Sequence, residues 1–333
     1  MKLSSLAAVA VIAGVALSNP GLSSPAQAEP TEVNFGIIST EASAALRQLW
    51  APVLTDLEKE SGLKVTPFFA SDYAGVIEAM RFNKVQVAYY GNKSAMEAVD
   101  RADGEIFAQG IQANGQPGYY SVMITQRDSD IHSIEDLLKN PGKYNFANGD
   151  PNSTSGFLVP GYYVFAQNHV DPKTLFKRVV GGSHETNIMA VLNKQVDVAT
   201  NNTNDLEKVS RTLGDRAAEI RVIWTSPLIP ADPLVWRKDL PEDVKARIAH
   251  FFLNYGKSGP NAEQERKNLG LLTFSGFRPS TNDQLLPIRQ LELFKSRSKI
   301  EADESLTAND KAAKLAEIDS KLAELKAKTP ATN

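Results

Sequence analysis

The sequence predicts an α/β protein whose mostly parallel sheets are covered by helices. Three observations carry that expectation. Short β-branched and aromatic runs alternate with amphipathic segments along most of the chain. With 333 residues, 42% hydrophobic and 23% charged, the chain has an ordinary globular makeup and the length for two domains with their own cores. No period of roughly 20–50 residues repeats, which excludes solenoids and propellers.

The elements follow in order. VNFGIIS (33–39) reads as a strand, and a helix follows from about Glu41 to Ser61. VTPFFA (65–70) is a strand before the helix AGVIEAMRFNK (74–84), and VQVAYY (85–90) is a strand before a helix near 94–102. YYSVMITQ (119–126) reads as one long strand, followed by the helix SIEDLLKN and the strand YNFAN. A helical segment within 155–168 comes next, interrupted by Pro160, which predicts a short first turn and a new helix beginning near the proline. The alternation continues with FKRVVGG as strand, HETNIMAVLNK as helix, VDVATNN as strand, NDLEKVSRTL as helix and IRVIWTS as strand. After PLVWR (233–237) the chain reads as helical to its end.

The first 28 residues stand apart. Lys2, the apolar run LAAVAVIAGVAL (6–17) and the small-residue ending Ala26-Gln27-Ala28 form the pattern of a secretory signal peptide cleaved after Ala28. The run is shorter than the roughly 20 residues a spanning helix needs. Cleavage removes one lysine and no acid, making the remainder one charge more negative than the whole chain's −3. No basic stripe is present, so nucleic acid is not an expected partner. The chain has no cysteine, which fits an exported protein stabilised by its core and leaves no residue for N-terminal lipidation. The expected location is the periplasm of a cell with an outer membrane.

In parallel sheets ligands bind beyond the carboxyl ends of the strands. Five junctions there are polar: ISTEAS (38–43), YGNKSA (90–95), ANGDPNSTSGF (147–157), GGSHETN (181–187) and TNNTND (200–205). The third places Ser153, Thr154 and Ser155 in a row ahead of Gly156. Unpaired N–H groups of a first helical turn, hydroxyls and a glycine that admits close approach together suit a tetrahedral oxyanion. A plain helix cap needs only one of those hydroxyls. His184 opens the next helix, either as a surface histidine near a cap or as a further donor to the same anion. Tyr90, Ser39 and Thr40 also lie at strand ends on this side. The four histidines have no metal-binding spacing. A Walker loop and a G-x-S-x-G elbow are both absent.

The segments NFGIISTE, FFASDYAGVIEAMRFNKVQVAYYGNKSAMEAVDRA, GDPNSTSGFLVPGYYVFAQN, HETN, VDVATNNT and SPLIPADPLVWRK resemble the phosphonate-binding proteins of ABC transporters, from about residue 33 to 295. The resemblance implies a two-lobed type II periplasmic-binding-protein fold with ligand in the cleft and crossover strands near 120–126 and 226–235. Lobe one would combine 29–124 with 229–299, lobe two would be 125–228, and 300–333 would be a helical extension. It implies that Ser153, Thr154, Ser155 and His184 hold the phosphonate oxygens. Tyr73 and Tyr119 would face them from the other lobe, and Asp232 would meet a ligand amine. Family members that bind aminoalkylphosphonates carry glutamate in N-N-T-E; this chain has Asn204 there, with Asp205 next. Adjacent helical positions diverge by about 100°, so a weaker preference for 2-aminoethylphosphonate over simple alkylphosphonates is expected. The implied partners are a small phosphonate and a membrane permease, with no cofactor, no metal and no catalysis.

Two rival readings accompany this one. One is a receptor for another phosphorus oxyanion (phosphite, methylphosphonate or a phosphate ester) on the same fold. The other is a secreted hydrolase using Ser153 or Thr154 with His184 as base. In the tail, Leu315, Ile318, Leu322 and Leu325 form a narrow apolar seam that suits packing on the chain's own lobe or a homodimer through the C-terminal helix.

Overall fold

The structure, a computed structural model, describes residues 31–328. The segment read as a signal peptide lies outside these residues. The strands are β1 (Glu32–Ile37), β2 (Lys64–Phe69), β3 (Val87–Tyr89), β4 (Gly104–Gln112), β5 (Gly118–Tyr119), β6 (Ser121–Gln126), β7 (Asn145–Asn148), β8 (Arg178–Gly181), β9 (Val198–Asn202), β10 (Ile220–Thr225), β11 (Ile229–Pro230), β12 (Pro233–Arg237) and β13 (Phe274–Pro279). They form a six-stranded sheet in the order β13-β4-β12-β3-β1-β2 and a five-stranded sheet in the order β10-β6-β9-β7-β8. A two-stranded ribbon of β5 and β11 lies where the chain passes between the sheets.

Around β1 and β7 the pairing is parallel, with helices connecting the strands. The rest is antiparallel: β12 between β3 and β4, β13 beside β4, and β6 between β9 and β10. The expectation of mostly parallel sheets is thus corrected to mixed ones. β6 and β12 enter each sheet directly from the other, from the opposite end, and so run against the helix-linked strands. Two strands were not expected at all. β4 carries Gly110 amid glutamines, and β13 is an edge strand, FSGFRP, with glycine inside and proline at its end. Neither shows a clean alternation, and β13 overturns the reading of the chain as helical beyond 237. The run 119–126 divides at Tyr120, one part in the ribbon and the other in the five-stranded sheet.

Alternate residues of the central strands build a core on each face of each sheet. In β1, Val33, Phe35 and Ile37 pack against Trp50, Val53 and Leu57 of the helix Ser43–Ser61. Gly36 faces the other side, where a Cβ would stand 2.7 Å from a Val76 methyl, so only glycine lets the helix Tyr73–Arg81 settle on the sheet. In the second sheet Met123, Phe146 and Val198 share one cluster, while Val122, Ile124, Ala147 and Ala199 share the other. This is the period-two alternation of a sheet covered on both faces.

Pro160 does not start a new helix. The chain stays helical from Thr154 to Phe165 by widening into i→i+5 hydrogen bonding over Thr154–Leu158 and again over Gly161–Phe165. A proline lacks the N–H that would bond the carbonyl four residues earlier. That carbonyl, of Gly156, instead accepts from the Gly149 N–H at 3.0 Å. The helices Leu286–Ala302 and Ala308–Lys328 form a hairpin at the C-terminal end, where Ile318 is buried and Arg297 pairs with Asp319 at 2.9 Å. Among the described residues no helix is long and apolar enough to cross a membrane.

Candidate functional site

The junctions at the carboxyl ends of the strands are shaped by helix caps. Asp72 accepts from Gly75 N–H, Ser153 from Gly156 N–H, Ser183 from Thr186 N–H and Asn202 from Asp205 N–H. Each cap fixes the first residue of its helix, and so aims Tyr73, Thr154, His184 and Thr203–Asn204. All five polar junctions contribute to one cavity between the sheets. Thr40, Gly91, the triplet Ser153–Ser155, His184 and Asn204 line it, as do Tyr73, Tyr119 and Asp232. The structure therefore gathers every residue singled out as a candidate in the sequence, apart from Tyr90 and Ser39.

The second sheet supplies a hydroxyl floor. Ser153, Thr154 and Ser155 are each 2% exposed to solvent, so a ligand reaching them sheds its water. Gly149 and Gly156 touch backbone to backbone beneath them; a Cβ on Gly149 would lie 2.6 Å from the Gly156 Cα. The Ser153 hydroxyl lies 3.5 Å from His184 Nε2. Burial holds the His184 pKa below the ordinary imidazole value, against the pull of Asp205. Asn201 Nδ2 donates to the His184 carbonyl at 2.8 Å and fixes the start of its helix.

The first sheet supplies the opposite wall, which is aromatic with one acid. Trp50, Tyr73, Tyr89 and Phe274 line it, with Trp50 and Tyr89 rings 5.1 Å apart. Asp232 accepts from Tyr119 Oη at 2.8 Å, from Tyr89 Oη at 3.1 Å and from Asn92 Nδ2 at 3.3 Å. Burial lifts its pKa to about 7, although both tyrosine hydroxyls favour the carboxylate. Burial also pushes Tyr73, Tyr89 and Tyr119 well above the usual phenol value, so all three are neutral donors.

Tyr90 belongs instead to the core, with no exposure and its hydroxyl on the Val76 carbonyl at 3.1 Å. Its neighbour Tyr89 reaches the cavity, because alternate residues of a strand face opposite sides. Sequence reasoning also missed Lys208, the one Lys or Arg on the cavity wall among the described residues. It pairs with Asp205 at 2.5 Å and with Glu41. A lysine three residues after Asp205 was the available signal, but Glu41 lies far away in sequence. Asn204 and Asp205 both line the cavity, but the Asp205 carboxylate is already engaged by Lys208 and Asn202.

The hydrolase reading fails on geometry. Ser153 and Asp205 both face His184 Nε2, at 3.5 and 3.8 Å, while buried Nδ1 has no hydrogen-bond partner. A serine–histidine–acid relay needs the nucleophile on one ring nitrogen and the acid on the other. Among the described residues no cluster of three or more His, Cys, Asp or Glu is placed to hold a metal.

Two mixed α/β sheets joined by a double crossing, with a polar cavity at their strand ends, define a solute-binding protein of the type II periplasmic class. Residues 35–285 match the family described as "ABC transporter, phosphonate, periplasmic substrate-binding protein", and the chain belongs to that family. It is similar to the phosphonates-binding periplasmic protein of Escherichia coli, 54% identical over 306 residues, covering 91% of this chain and 89% of that one. It is also similar to the crystal structure of a binding component of an ABC phosphonate transporter from Pseudomonas aeruginosa. There the identity is 53% and the TM-score 0.87, covering 90% of this chain and 98% of the other. A phosphate-import protein of Mycolicibacterium smegmatis is 29% identical over 69% of this chain and 74% of its own length. These relatives are substrate-binding proteins, not enzymes.

Proposed function

We propose that this chain captures phosphonates in the periplasm and delivers them to the permease of an ABC transporter. The observation that carries the reading is the two-sided cavity. A buried floor of neutral hydroxyls and N–H groups suits the oxygens of a phosphorus headgroup, and an aromatic wall suits an organic substituent. Inorganic phosphate or phosphite would leave that wall without a partner. Ser153, Thr154, Ser155 and His184 take the phosphonate oxygens. Tyr73 and Tyr119 close over them, Asn204 lies alongside, and Asp232 receives an amine where the ligand has one.

The lobes proposed from the sequence, 29–124 with 229–299 and 125–228, match the two sheets except at the first boundary, which cuts β6; all of Ser121–Gln126 lies in the five-stranded sheet, so the crossing is nearer Tyr120. The lobes stand closed in this structure. The Tyr73 N–H donates to Asp150 at 3.1 Å and the Lys93 N–H to Thr154 Oγ1 at 2.8 Å, each bond joining one lobe to the other. Closure of this kind presents a composite surface to a permease. Hydrogen bonds to a charged group contribute about 1.5–3 kcal/mol each. Four or five of them reach about −8 kcal/mol after ordering costs, a micromolar complex. The protein reaches the periplasm through a signal peptide cleaved after Ala28.

A homodimer through the C-terminal helix is the finer part of this reading. Leu315, Leu322 and Leu325 are half-buried, while Ile318 is already covered within the chain. The mass in solution of the full chain and of a chain ending at residue 302 tests it; equal oligomeric states refute the dimer.

Calorimetry with methyl-, ethyl- and 2-aminoethylphosphonate, phosphate and phosphite tests the main reading. The phosphonates are expected to bind best, and Ser153→Ala/Thr154→Ala/Ser155→Ala to lose about a hundredfold or more in affinity. Tighter binding of phosphate or phosphite than of any phosphonate, or an unaffected triple variant, overturns it.

A further inference from the structure

Three charged side chains have no role in the proposed binding scheme: buried Glu41, and buried Asp205 and half-buried Lys208 on the cavity wall. Glu41 lies in the junction after β1, while Asp205 and Lys208 stand a turn apart on the helix Thr203–Leu213 of the other lobe. Asp205 is 3% exposed and Glu41 6%. The Lys208 ammonium pairs with Asp205 at 2.5 Å and with Glu41 across the cleft. Asp205 Oδ2 also accepts from Asn202 Nδ2 at 2.6 Å and faces His184 Nε2 at 3.8 Å. Lys208 therefore pairs with one oxygen of each carboxylate: both Asp205 oxygens are engaged, while the buried Glu41 Oε2 has no hydrogen-bond partner and Lys208 is the cation beside it. Asp232 differs: its three partners are two tyrosine hydroxyls and an amide, all neutral, so its charge is left for a ligand.

We propose that Lys208 is a specificity-determining residue, which withholds Asp205 and Glu41 from a ligand's ammonium and leaves Asp232 as the single open carboxylate of the cavity. The inference rests on the phosphonate reading of the site. Its physical basis is the charge a closed cavity presents. A simple alkylphosphonate brings only negative charge, and every uncompensated carboxylate near it opposes binding. A 2-aminoethylphosphonate brings an ammonium that each such carboxylate attracts. One half-buried cation shared by two acids keeps the site open to both kinds of ligand. In a low-dielectric cavity a single unit charge is enough to change such a balance severalfold.

Removing charge from either member of the pair shifts selectivity in opposite directions. Lys208→Met is expected to raise the ratio of affinity for 2-aminoethylphosphonate over ethylphosphonate by about tenfold or more. Asp205→Asn, nearly isosteric, is expected to lower that ratio, and Lys208→Arg to restore the wild-type value. The ratio isolates charge selection from closure, because losing the cross-cleft pair with Glu41 weakens both ligands alike. Calorimetry with both ligands on the full-length protein and the three variants reads it. Should Lys208→Met unfold, the Asp205→Asn shift carries the test alone. A ratio unchanged in every folded variant overturns this inference while leaving the proposed function intact. A wild-type protein that binds neither ligand overturns both.

Discussion

Replacing Asp232 by asparagine is expected to make the unliganded protein more stable and less able to take an amine. The carboxyl is held near pH 7 by burial, against an ordinary value of 3.8. Keeping it ionised at pH 8 costs the folded state about 4 kcal/mol, at about 1.4 kcal/mol per tenfold change in proton affinity. An amide escapes that cost but loses an acceptor for one of the two tyrosine hydroxyls, about 1 kcal/mol. The variant should therefore gain about 3 kcal/mol at pH 8, raising Tm by roughly 6–10 °C. The sign follows from a raised acid: between about pH 4 and 7 the folded protein keeps a proton that the unfolded chain has released, so wild-type stability falls as pH rises through that window. At pH 5 the gap between the two proteins should shrink below about 1 kcal/mol. Thermal unfolding without ligand at pH 5 and 8 measures both. A variant no more stable than wild type at pH 8, or one with the wild-type pH slope, refutes the reasoning. Calorimetry should show affinity for 2-aminoethylphosphonate falling by roughly thirtyfold or more while that for ethylphosphonate is kept or improved.

Three other outcomes are expected. In Gly156→Ala the new Cβ would stand 2.9 Å from Ser153 Oγ, 3.0 Å from the Gly149 Cα and 3.1 Å from His184 Cε1. Chemical denaturation should show a loss of about 1–3 kcal/mol, and phosphonate binding should weaken with it. Asn204→Glu should raise the ratio of affinity for 2-aminoethylphosphonate over ethylphosphonate in calorimetry, and an unchanged ratio would remove any role for this position. Mass spectrometry of protein recovered from the periplasm should give a chain beginning at Glu29, and any other start refutes cleavage after Ala28.

The parts of the site legible in the sequence were those written locally. A cap residue, the following hydroxyls and a glycine lie within five positions, so Ser153–Ser155 could be read directly, as could His184 behind Ser183. The five polar junctions pointed to one edge of the fold, and they do surround one cavity. What escaped depends on distance in sequence or on the phase of a strand. Glu41 and Lys208 meet only through folding. Tyr89 and Tyr90 differ only in the side of β3 they face. The antiparallel halves of both sheets escaped because direction is set by which sheet the chain has just left, which no local pattern records. Pro160 misled for the opposite reason: a strong local rule was overridden by a remote N–H, that of Gly149.

That contact has an evolutionary side. The floor under the three hydroxyls is joined to β7 through main-chain atoms, with two glycines in van der Waals contact and a carbonyl already answered. Substitutions among the lining side chains of the facing wall leave this join untouched. Descendants of such a chain can therefore trade one organic substituent for another by changing the aromatic wall and its acid, while the grip on the phosphorus end passes unaltered from one specificity to the next.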